Sequence, residues 1–236
     1  MLNVYEQVDR NKRKSFLIMI GFVVFVTLVV WVFSQALDYG PAGVSFALIF
    51  AGLMSFSSYY WSDKIILTIS GARPASREKD FLFYTVAENL AMAAQIPKPK
   101  LYIIEDTAMN AFATGRDPEH AVVCATSGLL TRLNRSEIEG VIAHELSHVK
   151  NYDIRLMSLV TVLVGVVTLL ADWFLRGSRI KGRGRKKEGG SQIQAVIMIL
   201  AIFLALFSPL IATLIKLMIS RRREFLADAE STKITR

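Results

Sequence analysis

One cysteine, Cys124, stands among 236 residues. That scarcity excludes an intramolecular disulfide framework and a cysteine-rich zinc site, and the apolar, strand-like stretch around it predicts a small buried side chain. Histidine is scarce too, with three in the chain, so any site built on imidazole has few candidates. No internal repeat is visible. Acidic side chains number 20 against 28 lysines and arginines, for a formal charge of +8. That balance suits nucleic acid, but the basic residues stand beside apolar runs. They therefore read as contacts to anionic lipid headgroups and as topology signals, with no nucleic-acid partner. Charged residues make up only 20% of the chain, hydrophobic residues 53%, and mean hydropathy is +0.39. Such values arise when apolar residues are gathered into runs.

Four runs are present. Arg10, Lys12, Arg13 and Lys14 precede the first, Phe16 to about Leu37. It is too long for the apolar part of a signal peptide and lacks a small-residue cleavage site, so it predicts a membrane helix. Asp38-Tyr39-Gly40-Pro41 reads as a tight turn, and Ala42 to about Trp61 forms the second run. The basic N-terminus predicts a hairpin with both ends in the cytoplasm. The third run, Leu156 to about Leu175, and the fourth, Ile193 to about Ile219, flank a basic, glycine-containing loop over 176–192. If all four runs span, that loop lies outside, against the positive-inside tendency. With both or neither of the last two crossing, the C-terminal residues return to the side that carries the central segment.

The segment between the pairs is soluble in character. A helix is expected from Pro74-Ala75-Ser76 to about Gln95, with Leu82, Val86, Leu90 and Ala93 as its apolar stripe. Ile96-Pro97-Lys98-Pro99 breaks it. Leu101–Ile104, Met109–Gly115 and Ala121–Ala125 read as strands, and Leu129, Leu130 and Leu133 as a short helix. A small α+β domain with antiparallel strands follows.

Val141-Ile142-Ala143-His144-Glu145-Leu146-Ser147-His148-Val149 carries the chemistry. Four residues apart on a helix, His144 and His148 project from one face and can share a metal ion. Glu145 sits beside the first imidazole, placed to take a proton from an attacking water. Ser136 followed by Glu139 reads as a capping box that starts the helix. A catalytic zinc site needs a third protein ligand and an open position. His120 lies in a turn-like stretch, and Asp153 is placed as a cap or as support for a ligand. Glu224, with Asp228 four residues later on the same helical face, lets one carboxylate bind the metal while the other orients an imidazole. The alternative is a cytoplasmic helix end, where Glu224 balances the charge of Arg221 to Arg223. Pattern alone does not separate the two.

With these residues in view, the chain resembles the HtpX-type heat-shock membrane proteases, within the zinc metallopeptidase family that also contains the CAAX prenyl proteases. The resemblance rests on the N-terminal hairpin, on Asn110–Gly115, on Gly140–His148 and on Arg222-Arg223-Glu224-Phe225-Leu226-Ala227-Asp228. It implies one zinc ion per chain on His144, His148 and Glu224, Glu145 as general base, and Asp228 orienting a ligand imidazole. Asn110, Ala111, Phe112 and Ala113 are expected to form an edge strand that pairs with substrate backbone, an ordinary sheet strand being the alternative. Arg223 and Asn110 are the candidates for stabilising the oxyanion. Glu230 stands where such proteins usually have glycine. They also usually continue beyond the third ligand, so truncation is expected.

The expected protein is α+β and mainly helical: an integral membrane protein with a small zincin-like catalytic domain containing a short antiparallel sheet. The expected divisions are a membrane hairpin over 1–62, a catalytic domain over 63–155, a second hydrophobic hairpin over 156–219, and the third-ligand helix over 220–236. The expected activity is multi-pass, zinc-dependent endopeptidase action at the cytoplasmic face of the inner membrane, with unfolded or damaged membrane proteins as substrates and lipid as surroundings. The alternatives are a prenyl-protein processing protease, for which four apolar runs enclose too little space, and a non-enzymatic zinc-binding scaffold.

Overall fold

The computed structural model describes residues 4–36, 40–165 and 221–235. The chain divides into two compact units, Met1–Phe16 with Ser57–Leu159 and Met218–Arg236, and Leu17–Phe56 with Val160–Leu217.

Two long helices open the chain, α1 (Val4–Ala36) and α2 (Gly40–Ile69). The second helix outlasts its apolar run. It bends at Trp61 (φ −122°, ψ 18°), where Ser62, Asp63 and Lys64 replace apolar residues, and then continues to Ile69. Among the described residues no helix is long and apolar enough to cross a membrane. The third run beyond residue 165, the basic loop over 176–192 and the fourth run lie outside the described residues.

The first unit holds a four-stranded sheet of β1 (Arg73–Pro74), β2 (Lys100–Ile104), β3 (Ala111–Thr114) and β4 (Val122–Thr126), in the spatial order β1-β2-β4-β3. The expected antiparallel sheet is in fact mixed. β2 and β4 run parallel, Lys100 opposite Val122, while β1 and β3 are antiparallel to their neighbours. The chain reaches this arrangement because β3 passes over to the outer edge and β4 returns between it and β2. β4 is buried along its whole length, as a central strand covered on both faces must be. Val122 and Cys124 meet Leu67 of α2 on one face, and Val123 and Ala125 enter the main core on the other.

That core is supplied by α3 (Phe81–Ala94) and α5 (Arg135–Lys150), with α4 (Ser127–Arg132) between sheet and α5. Pro74 does not open α3. It lacks an amide hydrogen and sits in the edge strand β1, where none is needed. The buried face of α3 is Phe83, Val86, Ala87, Leu90, Ala91 and Ala94; Leu82 and Ala93 of the expected stripe are exposed. Nearly every residue of this helix is apolar, so periodicity underdetermined its face. α5 starts two residues earlier than expected. Asn134 Oδ1 accepts the Glu137 N–H at 3.0 Å and Glu137 Oε2 accepts the Asn134 N–H at 2.8 Å, a complete capping box. Glu139 instead pairs with Arg135 at 2.9 Å. Residues 153–165 are helical (α6), and α7 (Arg221–Ile234) packs on α5, burying Ala227 and Ile234.

Candidate metal centre

α5 is the post on which the site is built. Ile138, Ile142, Leu146 and Val149 are fully buried in the core, so the helix is clamped along one side and His144 and His148 project from another. Their Nε2 atoms lie 3.2 Å apart. Glu224 of α7 brings Oε2 to 3.3 Å from His144 Nε2 and 3.7 Å from His148 Nε2. Bonds of about 2.0–2.2 Å at tetrahedral angles put ligand atoms about 3.3–3.6 Å apart. The triangle therefore has the dimensions of a small tetrahedral ion's coordination sphere with one vertex open. Among the described residues, this trio is one of two sets that can hold a metal ion.

The outer ring nitrogens are held as such a site requires. Asp228 Oδ1 lies 2.9 Å from His144 Nδ1, and Asp153 Oδ2 lies 3.2 Å from His148 Nδ1. A carboxylate at Nδ1 keeps the proton there and leaves the Nε2 lone pair for a metal. Burial opposes charging of His148. The hydrogen bond to Asp153 and the charges of Glu145, Asp153 and Glu224 outweigh it, raising its pKa above the ordinary value.

Glu145 lies half-buried beside the triangle, and its Oε2 accepts the Ala113 N–H at 3.0 Å. Burial pushes its pKa up, while His148, His144 and the Ala113 hydrogen bond pull it back in part. The sheet edge thus positions the candidate base. The parity of β3 follows from its pairing. The Thr126 N–H donates to Asn110 O, and the Asn110 N–H donates to Thr126 Oγ1. Asn110, Phe112 and Thr114 therefore turn their backbone toward β4, and Ala111 and Ala113 turn theirs to the open edge. Of the four expected substrate contacts, only these two alanines present backbone groups outward. Gly115 closes the strand at φ +134°, and an added Cβ there would stand 2.5 Å from His120 O, so glycine is required.

Arg223 is buried, with Nε 3.6 Å from Asp153 Oδ1, which ties it to the carboxylate behind His148. Burial lowers its pKa. His120 stands apart from the triangle. Asp117 caps its turn by accepting the His120 N–H at 2.8 Å, His120 Nδ1 lies 2.6 Å from the same Oδ1, and its Nε2 lies 2.7 Å from Arg116 Nη2. It forms the second metal-capable group with Asp117 and Glu119, exposed and already explained by that turn.

No supporting role was read from the sequence for Asn11, Lys150, Asn151 or Glu230. Asn151 ends α5 and donates to Glu230 Oε2 at 2.9 Å, while Lys150 Nζ meets Glu230 Oε1 at 3.0 Å. Glu230 thereby fastens α7 to the end of the histidine helix. Asn11 of α1 donates to Asn151 O and Asp153 Oδ1. Asn151 had a weak signal, a cap residue just past a helix. Asn11, a polar residue in a basic stretch, had none.

Residues 83–236 match the model of peptidase family M48. The chain is 40% identical over 235 residues to a protein named protease HtpX homolog from Caldanaerobacter subterraneus, covering 99% of this chain and 78% of that one. Homologues of the same name from Thermoanaerobacter pseudethanolicus (40% over 234 residues, 99% and 78%) and Streptococcus thermophilus (40% over 238 residues, 99% and 80%) are similar to the same degree.

Proposed function

The chain belongs to peptidase family M48 and is a metalloprotease of the HtpX type; from that premise we propose that it is a zinc endopeptidase that cuts unfolded or damaged membrane proteins at the cytoplasmic face of the inner membrane. The observation that carries the zinc reading is the triangle of His144 Nε2, His148 Nε2 and Glu224 Oε2, with sides of 3.2, 3.3 and 3.7 Å. Two nitrogens and one carboxylate oxygen with an open vertex are the donor set of a catalytic zinc rather than of magnesium or calcium. Bound there, zinc supplies Lewis acidity, which polarises a carbonyl and acidifies water.

The chain's own residues do the rest. Glu145 takes the proton of the attacking water and delivers it to the leaving amine. Its burial favours proton uptake, and the Ala113 N–H fixes its reach. Asp153 and Asp228 hold the two imidazoles in the tautomer that presents Nε2. An extended substrate pairs with the outward backbone groups of Ala111 and the carbonyl of Ala113, whose N–H is taken by Glu145, a mode that reads main chain and tolerates many side chains. Asn110 and Arg223 are the side chains proposed for the oxyanion, Asn110 being exposed at the start of that edge.

Membrane residence is supported by the first two helices. Leu17, Val24, Trp31, Leu48, Ile49 and Leu53 are all exposed large hydrophobics, a display that water penalises and lipid does not. Arg10, Lys12, Arg13 and Lys14 just before the first run orient the chain with its site inside.

The test is metal analysis with cleavage of unfolded casein. Wild type is expected to carry one zinc and to cut. Glu224→Ala is expected to lose both, and a variant that keeps full zinc occupancy removes Glu224 from the ligand set. Single cysteines placed in 176–187 and labelled from outside intact cells decide how the last two runs lie.

A further inference from the structure

We propose that Asn11, in the N-terminal helix, is a positioning residue for the metal centre, acting through the Asp153 carboxylate that orients His148. The inference rests on the reading of His148 as a ligand.

Asn11 and Asp153 are 142 positions apart, yet both are almost wholly buried, with 5% and 2% of their surface exposed. Asn11 Nδ2 lies 2.8 Å from Asp153 Oδ1 and 3.1 Å from Asn151 O. Both neighbours are acceptors, so only the amide nitrogen, with its two hydrogens, satisfies them together. The orientation of the amide is therefore decided by chemistry. Asp153 divides its oxygens between two partners, Oδ1 to Asn11 and Oδ2 to His148 Nδ1 at 3.2 Å.

Remove the amide, and a carboxylate out of reach of solvent loses its short hydrogen bond at Oδ1, keeping Arg223 Nε at 3.6 Å. Buried polar groups do not stay unpaired at low cost. The carboxylate turns toward another donor, and its hold on the His148 ring loosens with it. The second bond, to Asn151 O, works on the same ring from the backbone side, because Asn151 caps the last turn of the histidine helix. Asparagine is also the residue the position demands. Aspartate, of the same shape, would set a second anion against Asp153. The segment before the first apolar run is thus part of the metal centre, and removing it would weaken metal binding while leaving all three ligands in place.

The experiment compares the whole 236-residue chain in detergent as wild type, Asn11→Ala, Asn11→Asp, Ser15→Ala and His148→Ala. Zinc affinity is read by chelator competition, and unfolding midpoints are read with and without zinc. Asn11→Ala is expected to weaken zinc binding about 10–100-fold, the usual loss for a group that supports a ligand, and Asn11→Asp to weaken it further. The gap between zinc-loaded and zinc-free midpoints narrows accordingly. Ser15 is buried on the same helix and donates to Asn11 O; Ser15→Ala keeps wild-type affinity. If Asn11→Ala does not fold, Asn11→Leu fills the volume without a donor and carries the same expectation. An Asn11 variant whose two midpoints fall together, with affinity and gap unchanged, overturns the proposal. His148→Ala that still binds zinc normally sinks the ligand reading itself. Loss of zinc in His148→Ala with none in Asn11→Ala sinks only the role of Asn11.

Discussion

Replacing Glu145 with glutamine separates the base from the metal. Glutamine has nearly the same volume, and its carbonyl oxygen can accept the Ala113 N–H that now reaches Glu145 Oε2 at 3.0 Å. The side chain therefore stays where it is. The three proposed ligand atoms belong to His144, His148 and Glu224, and none of them is altered. What disappears is the only function an amide cannot perform, proton acceptance. A positioned general base contributes about 10²–10⁴-fold, or about 3–5 kcal/mol of transition-state stabilisation. The expected outcome is a kcat lower by that factor, with KM changed by less than about threefold. The assay is single-turnover cleavage of labelled casein in detergent, with zinc content measured on the same sample. A Glu145→Gln protein that holds one zinc and retains more than about a tenth of the rate refutes the assignment. If zinc is lost along with cleavage, Glu145 is a structural support and the mechanism above is wrong.

Asn134→Ala is expected to cost about 1 kcal/mol of stability in urea unfolding, because it removes the acceptor of the Glu137 N–H. Ser136→Ala is expected to cost almost nothing, and the reverse order would disprove the cap. Arg73 donates to Asp80 Oδ2 at 2.9 Å and to Glu105 Oε1 at 2.8 Å, and its hydrogen bond holds the Asp80 carboxyl below the usual carboxylate range. The folded pKa is thus the lower one, so the contribution is complete above the unfolded value, about 4, and is lost as pH falls through the folded value. Arg73→Ala should be less stable than wild type by roughly 0.5–1 kcal/mol at neutral pH. That difference should shrink below about pH 4; a difference that persists there contradicts the linkage. Cys124 is fully buried, and burial pushes its thiol up to about 12. At pH 8 about one thiol in 10⁴ is then ionised, so iodoacetamide should label it only as denaturant opens the sheet. Prompt labelling of the folded chain would contradict that packing.

Local pattern read some features correctly and others not. The strands around Leu101 and Val122 and the short helix at Leu129 stand where composition placed them. Errors arose where two local solutions were equally good. Asn134-x-x-Glu137 and Ser136-x-x-Glu139 both spell a capping box, and the first one free after Leu133 is used. Pro74 opens helices and also tolerates sheet edges, and pairing with Tyr102 selected the edge. The parallel β2–β4 pair was not legible, since strand direction depends on the route of the intervening chain and not on any residue within the strands.

What the sequence determined by itself was the pair of imidazoles and the acid beside them. A helix places residues four apart on one face wherever it sits, so His144 and His148 needed no partner to be aligned. Glu224 was legible as a candidate only through its neighbour Asp228 and its likeness to a family. Tertiary structure decided the rest: that α7 lies along α5 and closes the triangle, that Asp153 and Asp228 stand behind the rings, and that Asn11 reaches one of them. Those contacts join segments distant along the chain. Their geometry is set by how the core packs, which no short window of sequence contains.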